Sequence, residues 1–123
     1  MKVIIAGGRD YLFTASDIRL LNKLRIQIPI TEVVSGCARG ADRCGEIWAN
    51  QHNIPVKEFP ANWDKHGKAA GAKRNKQMAQ YADAVILFPG GRGTDCMFEL
   101  AGEEKIKIFD YRHGEDNDLA EFI

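Results

Sequence analysis

The sequence predicts an α/β fold: a Rossmann-like three-layer sandwich with a five-stranded, mainly parallel sheet. Three observations lead there. Short apolar runs alternate with amphipathic stretches along the 123 residues. The apolar runs lack the period-two alternation of half-exposed strands, so they read as strands covered on both faces. Glycine-rich turns follow several of these runs, where a parallel strand hands over to a helix.

In chain order, Lys2–Ala6 (KVIIA) is a buried strand that stops at Gly7-Gly8. Thr14–Gln27 is a helix, because Thr14 and Asp17 have the spacing of a capping box and Ile18, Leu21 and Leu24 fall on one face. Glu32–Ser35 is a second strand, ended by Gly36, and Ala41–His52 a second helix with Cys44, Ile47 and Trp48 as its apolar stripe. Pro55–Phe59 is a third, weaker strand, and residues 60–70 read as a loop. Gly71–Tyr81 is a polar helix with Met78 and Ala82 inward, followed by the strongest strand, Asp83–Phe88. Thr94–Glu103 is a helix with Met97, Leu100 and Ala101 inward, and Ile106–Asp110 is the last strand. An acidic tail runs from about residue 111. No repeat, linker or low-complexity segment interrupts the pattern, so a single domain over 1–123 is expected.

Composition narrows the function classes. Hydrophobic residues are 45% and charged residues 28%, the balance of a globular rather than a disordered chain. No apolar run approaches the ~20 residues of a membrane span, and the run of four apolar residues, Val3–Ala6, before Gly7 is too short for a signal peptide. Cys37, Cys44 and Cys96 form no CxxC pair, and His52, His66 and His113 have no ligand spacing. The reading is therefore a cytoplasmic protein with no membrane partner, no disulfide framework, no metal and no cofactor.

Charge is zero overall but unevenly spread. Residues 61–80 carry Lys65, Lys68, Lys73, Arg74 and Lys76 against Asp64 alone, a balance of +4, whereas residues 81–123 carry a balance of −6. The basic segment is either a solvated helix face or an anion site, and only its place in the fold decides.

Ligands of open parallel sheets bind at the carboxyl ends of the strands. Three glycine-rich turns emerge there: Gly7-Gly8-Arg9, then Ser35–Asp42, then Pro89–Asp95. Together they hold seven of the chain's twelve glycines. Tight turns need glycine for their own geometry, but three on one edge also fit backbone approach to a ligand. The PGGRGTD turn opens a helix, where unpaired amides and the helix dipole suit a phosphate, and Thr94 is placed to cap that helix or to offer the anion a hydroxyl. It is neither GxxxxGK[ST] nor GxGxxG. Arg9, Arg39, Arg74 and Arg92 accompany the turns as solvated side chains or two-pronged anion ligands. Asp42 and Asp95 each fall in the first turn of a helix, where the dipole alone favours acids, but also where a carboxylate meets a ribose hydroxyl or an oxocarbenium-like centre. Trp63 is either a loop anchor or a stacking surface for a base. Cys37, with no partnered base, reads as packing.

These motifs resemble the SLOG superfamily, named for the DNA-processing Smf/DprA proteins and the Lonely Guy phosphoribohydrolases. The resemblance is carried by SGCARGAD (35–42), GAKRNKQMA (71–79) and PGGRGTD (89–95). KVIIAGGRD and FPANWDKHGKAAGAKRN are similar to its small stand-alone YspA/YpsA-like members. It spans roughly residues 1–110 and implies a nucleotide or phosphoribosyl ligand. By this resemblance Pro89, Gly90, Gly91, Arg92, Gly93 and Thr94 form the phosphate-binding turn. Ser35, Gly36, Arg39, Gly40 and Asp42 belong to the signature shared with the DNA-processing proteins, Asn75 joins the ligand set, and Arg74 matches a catalytic arginine of the phosphoribohydrolases. Those enzymes carry a catalytic glutamate three residues after the threonine, where this chain has Met97. A thioether cannot stabilise a developing positive charge; the nearest acids are Asp95 and Glu99, and Asp95, at a different point on the helix, is the candidate to replace the glutamate in hydrolysis of an N-glycosidic or related nucleotide bond. The alternative is a single-stranded nucleic-acid-binding module. SGCARGAD favours it, and the zero net charge and acidic C-terminal third disfavour it. Homodimers occur among related proteins, although no apolar stripe here requires one.

Overall fold

Apolar runs become strands wherever a helix is available to cover each face. The computed structural model describes residues 1–113. Its strands are β1 (Lys2–Ala6), β2 (Glu32–Ser35), β3 (Val56–Glu58), β4 (Ala84–Leu87) and β5 (Lys107–Asp110). Its helices are α1 (Ala15–Gln27), α2 (Ala41–Gln51), α3 (Trp63–His66), α4 (Ala70–Tyr81) and α5 (Arg92–Glu103), with a 3-10 turn at Gly67–Ala69. The sheet order is β3-β2-β1-β4-β5 and every pairing is parallel, so the sheet is wholly rather than mainly parallel. In register, Ile4 lies between Val34 and Val85.

Alternate residues of the strands feed two cores. Val3, Ile5, Val33 and Ile86 meet Leu21 and Leu24 of α1 and Trp48 of α2. Ile4, Val34, Val85 and Leu87 meet Met78 of α4 and Met97 and Ala101 of α5. That is the three-layer sandwich, with α1 and α2 on one face and α4 and α5 on the other. Each fully buried aliphatic side chain contributes about 1.5–3 kcal/mol relative to exposure. Trp48 also donates from Nε1 to Asn22 Oδ1 at 3.0 Å, tying α2 to α1.

Local signals act as expected at α1. Thr14 Oγ1 accepts from the Asp17 amide at 3.2 Å, and Asp17 Oδ2 accepts from the Thr14 amide at 2.9 Å and from the Tyr11 hydroxyl at 2.6 Å. Other boundaries differ from the sequence reading. The stripe of α2 is Ala41, Gly45, Trp48 and Ala49, while Ile47 is 47% exposed, because Gly45 lets the helix settle onto Ile5. The expected loop 60–70 contains α3 and the 3-10 turn, started by Asn62, whose Oδ1 accepts from the Lys65 amide at 3.1 Å. The chain stays ordered past Asp110: the Tyr111 amide donates to Leu87 O at 2.8 Å, and Arg112 stacks over Phe98 and holds Asp110. The rest of the expected acidic tail, 114–123, lies outside the described residues.

Candidate functional site

The strand order reverses between β1 and β4, and the turns leaving β1, β2 and β4 converge there. Main-chain hydrogen bonds fasten them together. The Gly8 amide donates to Pro89 O at 2.9 Å, and the Ala41 amide donates to Gly8 O at 3.1 Å. Gly40 has φ +76°, and a side chain there would overlap the carbonyl oxygens of Gly8 and Arg9. A Cβ on Gly90 would overlap Thr94 Oγ1. These glycines serve the junction of the turns. Gly91 and Gly93 differ: nothing lies within 4 Å of where their Cβ atoms would stand. They front open space.

That space is a cleft of about 510 Å³. It gathers Gly7, Gly8, Arg9, Asp42, Trp63, Arg74, Asn75, Gly91, Arg92, Gly93 and Thr94 from the residues singled out in the sequence. A neighbouring lobe of about 540 Å³ shares Arg9, Trp63 and Arg74 and adds Gly36, Cys37 and Arg39. Ser35, Gly40, Pro89 and Gly90 stand behind the cleft as parts of the turns. Met78, which the sequence marks only as inward-facing, and Cys96 also line the cleft, and the only signal for Cys96 is its position three residues after Gly93 on α5.

Helix α5 begins at Arg92 with Gly91 as its N-cap, so Thr94 is not the cap. Gly-Arg-Gly reads as a turn, yet glycine accepts helical backbone, and the helix starts two residues early. The first intrahelical bond is from the Asp95 amide to Gly91 O, and no side chain caps the end. The amides of Arg92, Gly93 and Thr94 therefore have no intrahelical acceptor. Thr94 itself is buried. Asn75 Nδ2 donates to Gly93 O at 3.3 Å and fixes this turn to α4.

The acids divide sharply. Asp42 is 7% exposed and, among the described residues, is the one carboxylate lining the cleft. Its Oδ2 accepts from the Ala38 amide at 3.2 Å. Burial pushes its carboxyl up to about 6. The Ala38 amide and the Arg74 and Arg9 guanidinium groups oppose the rise, and Glu46 adds to it. Asp95 does not line the cleft. Its side chain is 62% exposed and pairs with Arg112 at 2.9 Å. Met97, at the position where the resembled enzymes carry glutamate, does face the cleft and presents an apolar wall.

Arg74 donates from Nε to Asn75 Oδ1 at 3.0 Å and from Nη1 to Gly36 O. A Cβ on Gly36 would stand 2.7 Å from Arg74 Nη1 and 2.9 Å from Asp42 Oδ2, so only hydrogen fits between guanidinium and carboxylate. Arg9 lies over the Trp63 ring, 5.9 Å from its centroid, and Trp63 keeps 49% of its surface exposed. Arg39 pairs with Asp10 at 3.1 Å in solvent. Ser35 Oγ donates to Glu46 Oε2 at 2.6 Å and accepts from the Cys37 amide at 3.1 Å, so it holds the turn rather than the cleft. Burial and Glu58 push the Cys37 thiol up to about 11, which keeps it protonated at neutral pH.

Among the described residues, no group of three or more His, Cys, Asp or Glu is placed to hold a metal ion, and no helix is long and apolar enough to cross a membrane. The model of the YspA, cpYpsA-related SLOG family (YAcAr) matches residues 1–66. The matched part contains the β1 and β2 turns and Trp63 but ends before Arg74 and the α5 turn. The Gene 61 protein of Mycobacterium phage D29 is 40% identical over 76 residues, an alignment covering 54% of this chain and 61% of that protein. The shared stretch is thus under two thirds of the phage protein's length.

Proposed function

Because the chain belongs to the YspA, cpYpsA-related SLOG family, we propose that it binds a nucleotide or another phosphoribosyl-bearing small molecule in this cleft. The observation that carries the reading is the open turn at the head of α5, with unpaired amides from Arg92 to Thr94 and empty space over Gly91 and Gly93. A phosphate set there accepts those amides and meets the positive end of the helix. Arg92, Arg9 and Arg74 line the same cleft and supply the balancing charge. Trp63, half uncovered, offers a face to the base.

Binding rather than cleavage is the function proposed. Position 97 is methionine, and the Asp95 carboxylate is turned to Arg112. Arg74 then acts as an anion ligand and as the clamp on the β2 turn.

Thermal unfolding with nucleoside 5′-monophosphates and with the matching nucleosides tests this. A monophosphate at about 100 times its Kd adds about 2.7 kcal/mol of stability, and the nucleoside, lacking the phosphate, adds far less. Equal shifts from both would remove the phosphate site. No shift with any nucleotide, together with single-stranded DNA binding that collapses between low and moderate salt, would replace this reading with a nucleic-acid one.

A further inference from the structure

Asp42 is chemically out of place unless something in the cleft completes it. More than nine tenths of its surface is covered, and its Oδ2 accepts one amide, from Ala38. Among the described residues its Oδ1 accepts no hydrogen bond, yet no buried polar side-chain atom there lacks a partner. Oδ1 therefore remains reachable from the cleft that Asp42 lines. An ionised carboxylate accepts and does not donate, so the group that fits Oδ1 is an O–H or N–H donor. Arg74 Nη1 and Asp42 Oδ2 both border the space where a Cβ on Gly36 would stand, but the guanidinium is engaged by Gly36 O and Asn75, and among the described residues it forms no ion pair with Asp42. From Asn75, bonded to Gly93 O in the α5 turn, one short chain of hydrogen bonds through Arg74 reaches Gly36 O, in the turn that also carries Asp42. A phosphate at the α5 turn and a donor at Asp42 thus sit in one cleft.

We infer that Asp42 is the specificity-determining residue of the cleft: it accepts a ribose hydroxyl and makes the site select ribonucleotides over 2′-deoxyribonucleotides. This rests on the proposed nucleotide site and adds to it the sugar class of the ligand. A hydrogen bond to a charged acceptor is worth about 1.5–3 kcal/mol, and a ligand lacking the hydroxyl leaves the buried carboxylate unsatisfied. The groups facing Asp42 are Arg74 from α4, Arg9 from the β1 turn, and Glu46 and the Ala38 amide from its own side. The preference is full when Asp42 is ionised and fades as the carboxyl protonates at acid pH. Bound hydroxyl favours the charged form, so the midpoint in the complex lies below that of the free protein.

The test is calorimetric titration of the whole chain with AMP, GMP, CMP and UMP and with their 2′-deoxy counterparts, at pH 8 and pH 5. The expected result is at least a tenfold preference for the ribose form at pH 8 and a smaller one at pH 5. In Asp42→Asn, which keeps the shape but not the charge, the preference should fall to within about threefold while phosphate-dependent binding survives. Ribo and deoxy forms bound within twofold by the unaltered protein would overturn the inference and leave the nucleotide site standing. So would an undiminished preference in Asp42→Asn. Binding of neither form would overturn the site and the inference together.

Discussion

Two turns of this protein share a sequence pattern and divide its chemistry between them. Ser35–Asp42 and Pro89–Asp95 each leave a parallel strand, pass through glycines and an arginine, and open a helix with an aspartate in its first turn. At the β2 turn the glycines are enclosed, the Ala41 amide is committed to Gly8 O, and the aspartate faces the cleft. At the β4 turn the relation is reversed: Gly91 and Gly93 front open space, the first amides are uncommitted, and the aspartate faces outward to Arg112. One turn offers a carboxylate and the other offers amides. A ligand with a hydroxyl at one end and an anion at the other fits both.

The comparison breaks first at Gly40. Gly40→Val forces a side chain into positive φ and onto two carbonyl oxygens. It should lower stability by about 3 kcal/mol or more and Tm by roughly 10 °C or more. A folded variant with near-normal Tm would mean that the three turns are not locked together as described.

The next effect is on Asp42. Its folded carboxyl titrates near 6, above the ordinary value of 3.8. The folded state therefore binds a proton more tightly than the unfolded chain between those values. Stability falls as pH rises through this window, and the loss persists above it. Asp42→Asn should remove that slope and raise stability at pH 8 by up to about 3 kcal/mol, with little change near pH 3. Denaturant unfolding at the two pH values reads this directly. A loss of stability at pH 8 would show that Arg74 and Arg9 outweigh burial.

Gly91→Val sharpens the contrast with Gly40. Its backbone φ is −106° and its surroundings are empty. Replacing glycine by valine at a helix N-cap should cost under about 1 kcal/mol, while nucleotide affinity falls tenfold or more because the side chain occupies the anion's approach. Unchanged affinity in the folded variant would move the phosphate elsewhere. The smallest effect is at Asp95→Ala. The Asp95 side chain is largely exposed, and Arg112 keeps its bonds to Asp110, so stability should change by about 0.5 kcal/mol or less.

Much of this was legible because burial follows periodicity. Val3–Ala6 and Ala84–Leu87 are apolar at every position, so both faces need cover, and the amphipathic helices between them supply it. The convergence of the three turns follows from the parallel sheet. The fate of the two aspartates did not follow from the motif, since both sit in a first helical turn. Helical spacing held a partial signal: Thr94, Met97 and Ala101 form one face, which excludes Asp95. What anchors Asp95, however, is Arg112, beyond the last strand. The sequence offers Asp42 as a dipole-favoured acid or a ribose contact and gives no sign of the Ala38 amide that bonds it, because that amide is presented by a turn where Cys37 adopts φ +64°. Cysteine gives no warning of that conformation, which glycine and asparagine usually mark. The short helix α3 is hidden in the sequence because four residues display no period.

The central claim is that main-chain donors at the head of α5 receive the ligand's phosphate. Amide proton and nitrogen shifts recorded during titration with AMP test it most directly. The largest movements are expected at Arg92, Gly93 and Thr94, absent when adenosine replaces AMP. Shifts from AMP that leave those three amides unmoved would contradict it.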